Sequence, residues 1–279
     1  MRLAGPALLG AAWLVGVSGC LAPEAAPGPG PSLAALADPP DLPPPNPGVT
    51  QVGCAELRGR FPVPMTQARA AMPPGFDPVP FDGTGTAATL VALATMCEAT
   101  LPTALAPGEA RILAVFLEVH PPAAWRVPGA SHLLVMSLRT DAPALAQRFS
   151  VWGLADAQQA TVGFEVDTSA VEPLWVRHGE ASADTPGGSL QLHIQSGGMK
   201  QHQQPAAARW FLAAGGGVAR VVDVQLADAD ALAGDPALLV ARGAAPLPMM
   251  VPVGPGEGRQ AWGDAYGYRF EPRGGLAIG

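Results

Sequence analysis

Glycine and proline punctuate this chain from end to end, with 34 glycines and 32 prolines in 279 residues. Proline removes a backbone donor and clashes with the preceding turn; glycine loses the most conformational freedom on ordering. Long helices are therefore disfavoured over most of the sequence, and short strands joined by turns remain. Hydrophobic residues make up 48% of the chain, enough for a sizeable core. The net charge is −7 and the basic residues form no cluster, so a nucleic-acid footprint is absent.

Apolar runs bounded by Pro, Gly or Asp read as strands. They cover residues 87–99, 110–122, 131–140, 159–167, 172–181, 188–196, 208–214, 217–228 and 264–272. Residues 205–224 predict a hairpin with a triple-glycine loop. The exception is DAPALAQRFSVWG, which predicts one helix over about 141–152. Asp141 suits the N-cap and Pro143 the first turn, while Leu145, Phe149 and Trp152 fall on one face before Gly153. Many strands with few helices imply a mainly β fold, an antiparallel barrel or a highly curved sheet.

The amino terminus reads differently. Arg2 precedes an apolar run from Leu3 to Val17, too short for a membrane span and of the length of a signal-peptide core. It ends in VSGC, residues 17–20, which resembles the bacterial lipoprotein box. That resemblance implies a signal peptide over 1–19, acylation of Cys20 and a membrane as partner through the lipid anchor. Leu21 follows, and in a Gram-negative cell this implies the outer membrane, within the cell envelope. Ten of the 28 residues from 21 to 48 are proline, so 20–49 reads as a stiff spacer, leaving 50–279 as a single domain.

Cys54 and Cys97 either pair, as an oxidising compartment would allow, or stay as thiols. No cysteine or histidine spacing suits a metal, and no cofactor motif is present. The GTG of residues 83–85 lacks the third glycine and following helix of a phosphate loop. Ser131 and His132, adjacent in a strand, point to opposite faces and make no nucleophile–base pair.

Three stretches together resemble the acetoacetate decarboxylase-like superfamily. MPPGFDPVP (72–80) is similar to its early turn, and RILAVFLEVHPP (111–122) to a strand carrying an acidic residue into the cavity, matched here by Glu118. RFSVWGLADAQQATVGFEV (148–166) is similar to its helix end, loop and following strand. The order agrees over residues 60–225. The resemblance implies a cone-like barrel enclosing a cavity. The family's loop supplies a lysine that forms a Schiff base with a keto acid. Here that loop reads Trp152-Gly153-Leu154-Ala155-Asp156-Ala157, with no lysine. Arginine stays charged and cannot replace a neutral amine. Lys200, the chain's one lysine, lies in a Gly/Gln-rich turn and reads as a solvated surface residue. Acetoacetate decarboxylase activity is thus expected to be absent.

Glu118 is the one carboxylate in its apolar run and needs a partner if buried, for which Arg148 and Arg126 are candidates. The pair would be either a structural ion pair or an anchor for a ligand. His193 is a further polar candidate for the cavity, with Trp152 and Phe116 as walls. The expectation is a lipid-anchored protein that binds a small apolar or keto-type molecule or serves a structural role. The alternative is an enzyme using Glu118 and an arginine for acid–base chemistry.

Overall fold

The first element of the computed structural model is a sixteen-residue strand, β1 (Val49–Pro64). The structure describes residues 49–151, 157–171, 174–185, 188–198, 201–203, 206–214, 217–226, 229–243, 259–269 and 275–278. Cys20, the proline-rich spacer, Trp152 and Lys200 lie outside them. A short helix α1 (Met65–Ala70) leads to β2 (Asp77–Pro78), β3 (Ala87–Leu101), β4 (Ala110–His120) and β5 (Ala130–Thr140). Helix α2 (Pro143–Val151) follows. The rest is strand: β6 (Ala157–Gln159), β7 (Thr161–Val171), β8 (Leu174–Thr185), β9 (Gly188–Gly198), β10 (Gln201–Gln203), β11 (Ala206–Ala214) and β12 (Gly217–Leu226). β13 (Ala229–Gly243), β14 (Arg259–Arg269) and β15 (Gly275–Ile278) complete it.

Seven of these strands close on themselves. The ladders run β1–β3–β4–β5–β11–β12–β15 and return from β15 to β1. All are antiparallel except β5–β11, which is parallel. Closure leaves no free edge in this part of the sheet. On the other side of β1 the sheet continues through β14, β13, β9 and β8 to β7.

The two halves diverge at Gly53. β1 pairs with β15 over Val49–Val52 and with β14 from Ala55 onward. Between them Gly53 adopts φ +64°, a conformation that side chains with a Cβ rarely take. The buried positions change parity at the same point, from Val49 and Gln51 to Cys54 and Glu56. One glycine thus lets a single strand serve two neighbours and turn its other face inward.

Two apolar clusters result. The inner one fills the ring with Val91, Leu93, Ala114, Phe116, Leu133, Trp210, Leu212, Val222 and Val224. The far end of the ring is stopped by Leu138 of β5, Leu105, Ala106, and Leu145 and Phe149 of α2. The outer cluster packs Leu57, Phe61, Leu90, Leu113 and Leu117 against Val162, Phe164, Leu192, Ile194 and Leu239 of the continuing sheet. β3 and β4 are therefore covered on both faces, which explains their near-continuous apolar runs.

The helix expected over 141–152 is observed from Pro143 to Val151. Asp141 is not free to cap it. Its carboxylate accepts from the Arg111 amide at 2.9 Å and from Arg111 Nη1 at 3.0 Å, while Thr140 Oγ1 accepts from the Ala142 amide. The predicted hairpin is present as β11 and β12, paired from Ala206↔Leu226 to Ala214↔Gly217. No helix among the described residues is long and apolar enough to cross a membrane.

Candidate functional site: the mouth of the barrel

Alternation along β1 after Gly53 places Leu57, Phe61 and Val63 in the outer cluster. Glu56, Arg58 and Arg60 must then point the other way, into the ring. Their cross-strand partners on β3 are Thr95, Leu93 and Val91, of which the last two belong to the inner cluster. The inner wall here is thus a ladder of polar residues on β1 beside apolar ones on β3.

This wall borders a cavity of about 50 Å³ inside the ring. Val91, Leu93, Phe116, Leu133, Trp210 and Val224 form its apolar sides, with Ala206, Ala207 and Ala208. Its polar groups are Glu56, Arg58 and Ser131. The volume accommodates a few water molecules or a group of a few heavy atoms. A drug-sized ligand would need roughly 300 Å³ or more.

Glu56 is 3% exposed. Burial pushes its carboxyl up to about 7, against the opposing pull of the Arg58 guanidinium. Opposite it, Thr95 Oγ1 is buried without a hydrogen-bond partner. Nearer the rim, Arg60 Nη2 lies 3.2 Å from Glu118 Oε2, with the side chains 32% and 27% exposed. That ion pair reaches over β3 from β1 to β4. At this exposure it contributes at most about 1 kcal/mol.

The sequence-derived candidates distribute unevenly. Phe116 lines the cavity, whereas Glu118, two residues further along β4, is part-exposed and paired with Arg60. The partner of Glu118 is Arg60, not the expected Arg148 or Arg126. Arg148 sits on α2, beyond the far end of β5, whereas Glu118 pairs with Leu133 near the start of that strand. The seven intervening residues span roughly 23 Å. Arg126 is exposed on the loop before β5, where its Nε donates to the Pro121 carbonyl at 2.9 Å. His193 is on β9 outside the ring, with Nδ1 3.5 Å from Glu180 Oε2. Trp152 lies outside the described residues. Cys54 and Cys97 face each other across the β1–β3 ladder and are joined by a disulfide, their Cα atoms 4.0 Å apart.

Sequence reasoning missed Glu56, Arg58 and Arg60. A signal exists: GCAELRGRFPV alternates polar and apolar residues over 56–63. Such alternation is ordinarily read as a strand with its polar face in solvent. His132 is also accounted for without chemistry. It stacks on Phe211 at 6.1 Å and accepts from the Val127 amide at 3.0 Å. Burial and the charges of Arg209, Arg126 and His120 lower its affinity for a proton. Among the described residues no cluster of His, Cys, Asp or Glu is arranged to hold a metal.

No protein-family model matches the chain, and no curated protein matches it. Solved structures do. The enduracididine biosynthesis enzyme MppR with HEPES buffer bound overlays at a TM-score of 0.50 and 12% identity, over 85% of this chain and 87% of that one. An acetoacetate decarboxylase-like enzyme from Sphingomonas wittichii RW1 gives 0.48 and 12%, over 83% and 90%. An acetoacetate decarboxylase from Legionella pneumophila gives 0.41 and 9%, over 83% and 87%. The fold is the acetoacetate decarboxylase-like one. At such identities the likeness concerns architecture alone. Within this decarboxylase-like barrel, whatever the mouth does has to be argued from Glu56, Arg58 and their neighbours.

Proposed function

We propose that the chain is a cell-envelope protein, tethered through an acylated Cys20, whose barrel holds a small and mostly apolar molecule without Schiff-base chemistry. The observation that carries this reading is the cavity: apolar on most sides, buried at its base and polar at one wall. That is the composition of a small-molecule site, where apolar walls supply affinity and a few polar groups fix orientation. The absence of lysine from Trp152 to Ala157 supports the loss of the amine, and the VSGC box supports the tether to the outer membrane.

Three experiments test it. Protein purified from membranes and sprayed under native conditions should carry a low-mass adduct that Phe116→Ala and Trp210→Ala release; a bare mass for wild type would count against a bound ligand. Borohydride with acetoacetate should leave every peptide unmodified, and a reduced adduct on Lys200 would overturn the loss of Schiff-base chemistry. For the tether, Cys20→Ala should move the protein from the membrane to the soluble fraction.

One observation favours the enzymatic alternative. A carboxyl that titrates near 7 beside a partly open cavity is poised for general acid–base work. In this reading the acid is Glu56, and Glu118 is occupied with Arg60. Exchange of α-protons of small ketones into deuterated water, followed by NMR and abolished in Glu56→Gln, would establish it. Equal exchange with and without the protein would dismiss it.

A further inference from the structure

The mouth contains an unequal set of charges. Arg60 and Glu118 neutralise each other at the rim. Behind them stand Glu56 and Arg58, two residues apart on the same face of β1 and both bordering the cavity. Thr95 on β3, opposite Glu56, presents an unpaired buried hydroxyl, and the part-buried Ser131 on β5 lines the cavity. On β4, His120 lies two residues beyond Glu118 and is exposed. In the β1–β14 ladder Tyr268 is opposite Glu56 and Asp264 opposite Arg60. Among the described residues the cavity is thus lined by two charged groups, one carboxyl and one guanidinium. When Glu56 is ionised they cancel. When it is protonated the guanidinium is left with mostly apolar walls and no carboxylate in the cavity beside it, which is costly without a counter-anion.

We propose that the mouth takes up a small singly charged oxyanion together with one proton, the anion resting on the Arg58 guanidinium and the Ser131 hydroxyl while the proton goes to the Glu56 carboxylate. The inference rests on the ligand-binding reading above and names the polar end of that ligand. A protonated Glu56 also gains a donor, able to hold the second oxygen of the anion. The cavity fits an anionic head with a few carbon atoms, and its apolar walls suit a short tail. The titration of Glu56 near neutrality agrees with this arrangement and sets its working range.

The test uses the full chain in detergent, with nitrate and formate as probes and formamide as the neutral counterpart of formate. Both anions keep one charge from pH 6 to 9, so any pH dependence belongs to the protein. Calorimetry in two buffers of different ionisation enthalpy counts the protons. Uptake should approach one per anion at pH 8 and vanish near pH 6, and affinity should fall about tenfold per pH unit above about 7. Glu56→Gln should bind with the low-pH affinity at every pH and take up no proton. Arg58→Gln, which leaves the carboxyl in place, should lose anion binding. Equal wild-type affinity at pH 6 and 8, or proton uptake persisting in Glu56→Gln, would overturn the proposal. Formamide binding while both anions stay silent would overturn it and spare the pocket; silence from all three would overturn both.

Discussion

The two faces of β1 beyond Gly53 differ completely, although one alternating segment builds both. Outward lie Leu57, Phe61 and Val63, each 1% exposed or less, sealed beneath the continuing sheet. Inward lie Glu56 and Arg58, which line a cavity, and Arg60, which pairs with Glu118. The outer face is squeezed between two layers, where every gap costs dispersion and transfer energy. The inner face looks across a curved ring whose width leaves space, and space is what lets polar groups persist there. Thr89 Oγ1 and Thr95 Oγ1 are buried without partners and fall on this same inner wall, sharing a face with Val91 and Leu93. The comparison assigns stability to one face and binding to the other.

Truncation on the outer face is the harshest way to break that division. Phe61→Ala removes a fully buried ring from between the layers. Its expected cost is about 3–5 kcal/mol, read from the urea midpoint. Ligand or anion affinity of the folded fraction should be unchanged. A loss below about 1 kcal/mol would mean that the layers are not sealed as described.

A pH series sharpens the comparison from the inner side. Burial holds the Glu56 carboxyl at about 7 in the folded protein, against an ordinary 4.5 in the unfolded chain. The folded state therefore binds the extra proton between these values, and stability falls as pH rises through that window. The contribution is full below about 4.5 and gone above about 7, in all on the order of 3 kcal/mol. Paired carboxylates elsewhere act in the opposite sense, so the quantity to measure is the difference between wild type and Glu56→Gln. That difference should change between pH 4.5 and 7.5 in favour of wild type at the acid end. A constant difference would place Glu56 in solvent contact and remove it from the cavity.

Much of the architecture was legible in the sequence because its causes are local. The apolar runs of β3, β4 and β5 have no alternative once Gly and Pro exclude helices, and α2 announces itself through Pro143 and the spacing of Leu145 and Phe149. β1 and β13 escaped notice. β1 carries Gly53, Gly59, Pro62 and Pro64, and β13 carries Gly234 and Pro236, residues that ordinarily interrupt strands. In β1 the irregularity is functional, since Gly53 marks the exchange of neighbours. The site was legible only in part. Glu118 stood out as a lone carboxylate, but its partner depends on which strand lies two places away in the ring. Arg60 is 58 residues distant in sequence and reaches Glu118 only because β1, β3 and β4 are consecutive in the sheet. Nothing local to Arg148 or Arg126 records that they fall on the wrong end or on a loop.

The smallest effect is the most discriminating. Thr95→Val keeps the shape of a side chain that is 1% exposed and removes its unpaired hydroxyl. If nothing occupied the cavity, an orphaned polar atom would be deleted, and the variant would match wild type or exceed it by up to about 1 kcal/mol. If an anion or water uses the hydroxyl, the apo protein should still unfold at nearly the same urea concentration, but added formate should protect the variant less than wild type. The protection follows the logarithm of ligand concentration over its dissociation constant, so a lost hydrogen bond appears as a smaller shift at equal formate. Ala92→Gly, on the outer face of the same strand, lowers stability without touching this protection. Equal formate protection in wild type and Thr95→Val would separate Thr95 from the ligand and confine the polar work of the inner wall to Glu56 and Arg58.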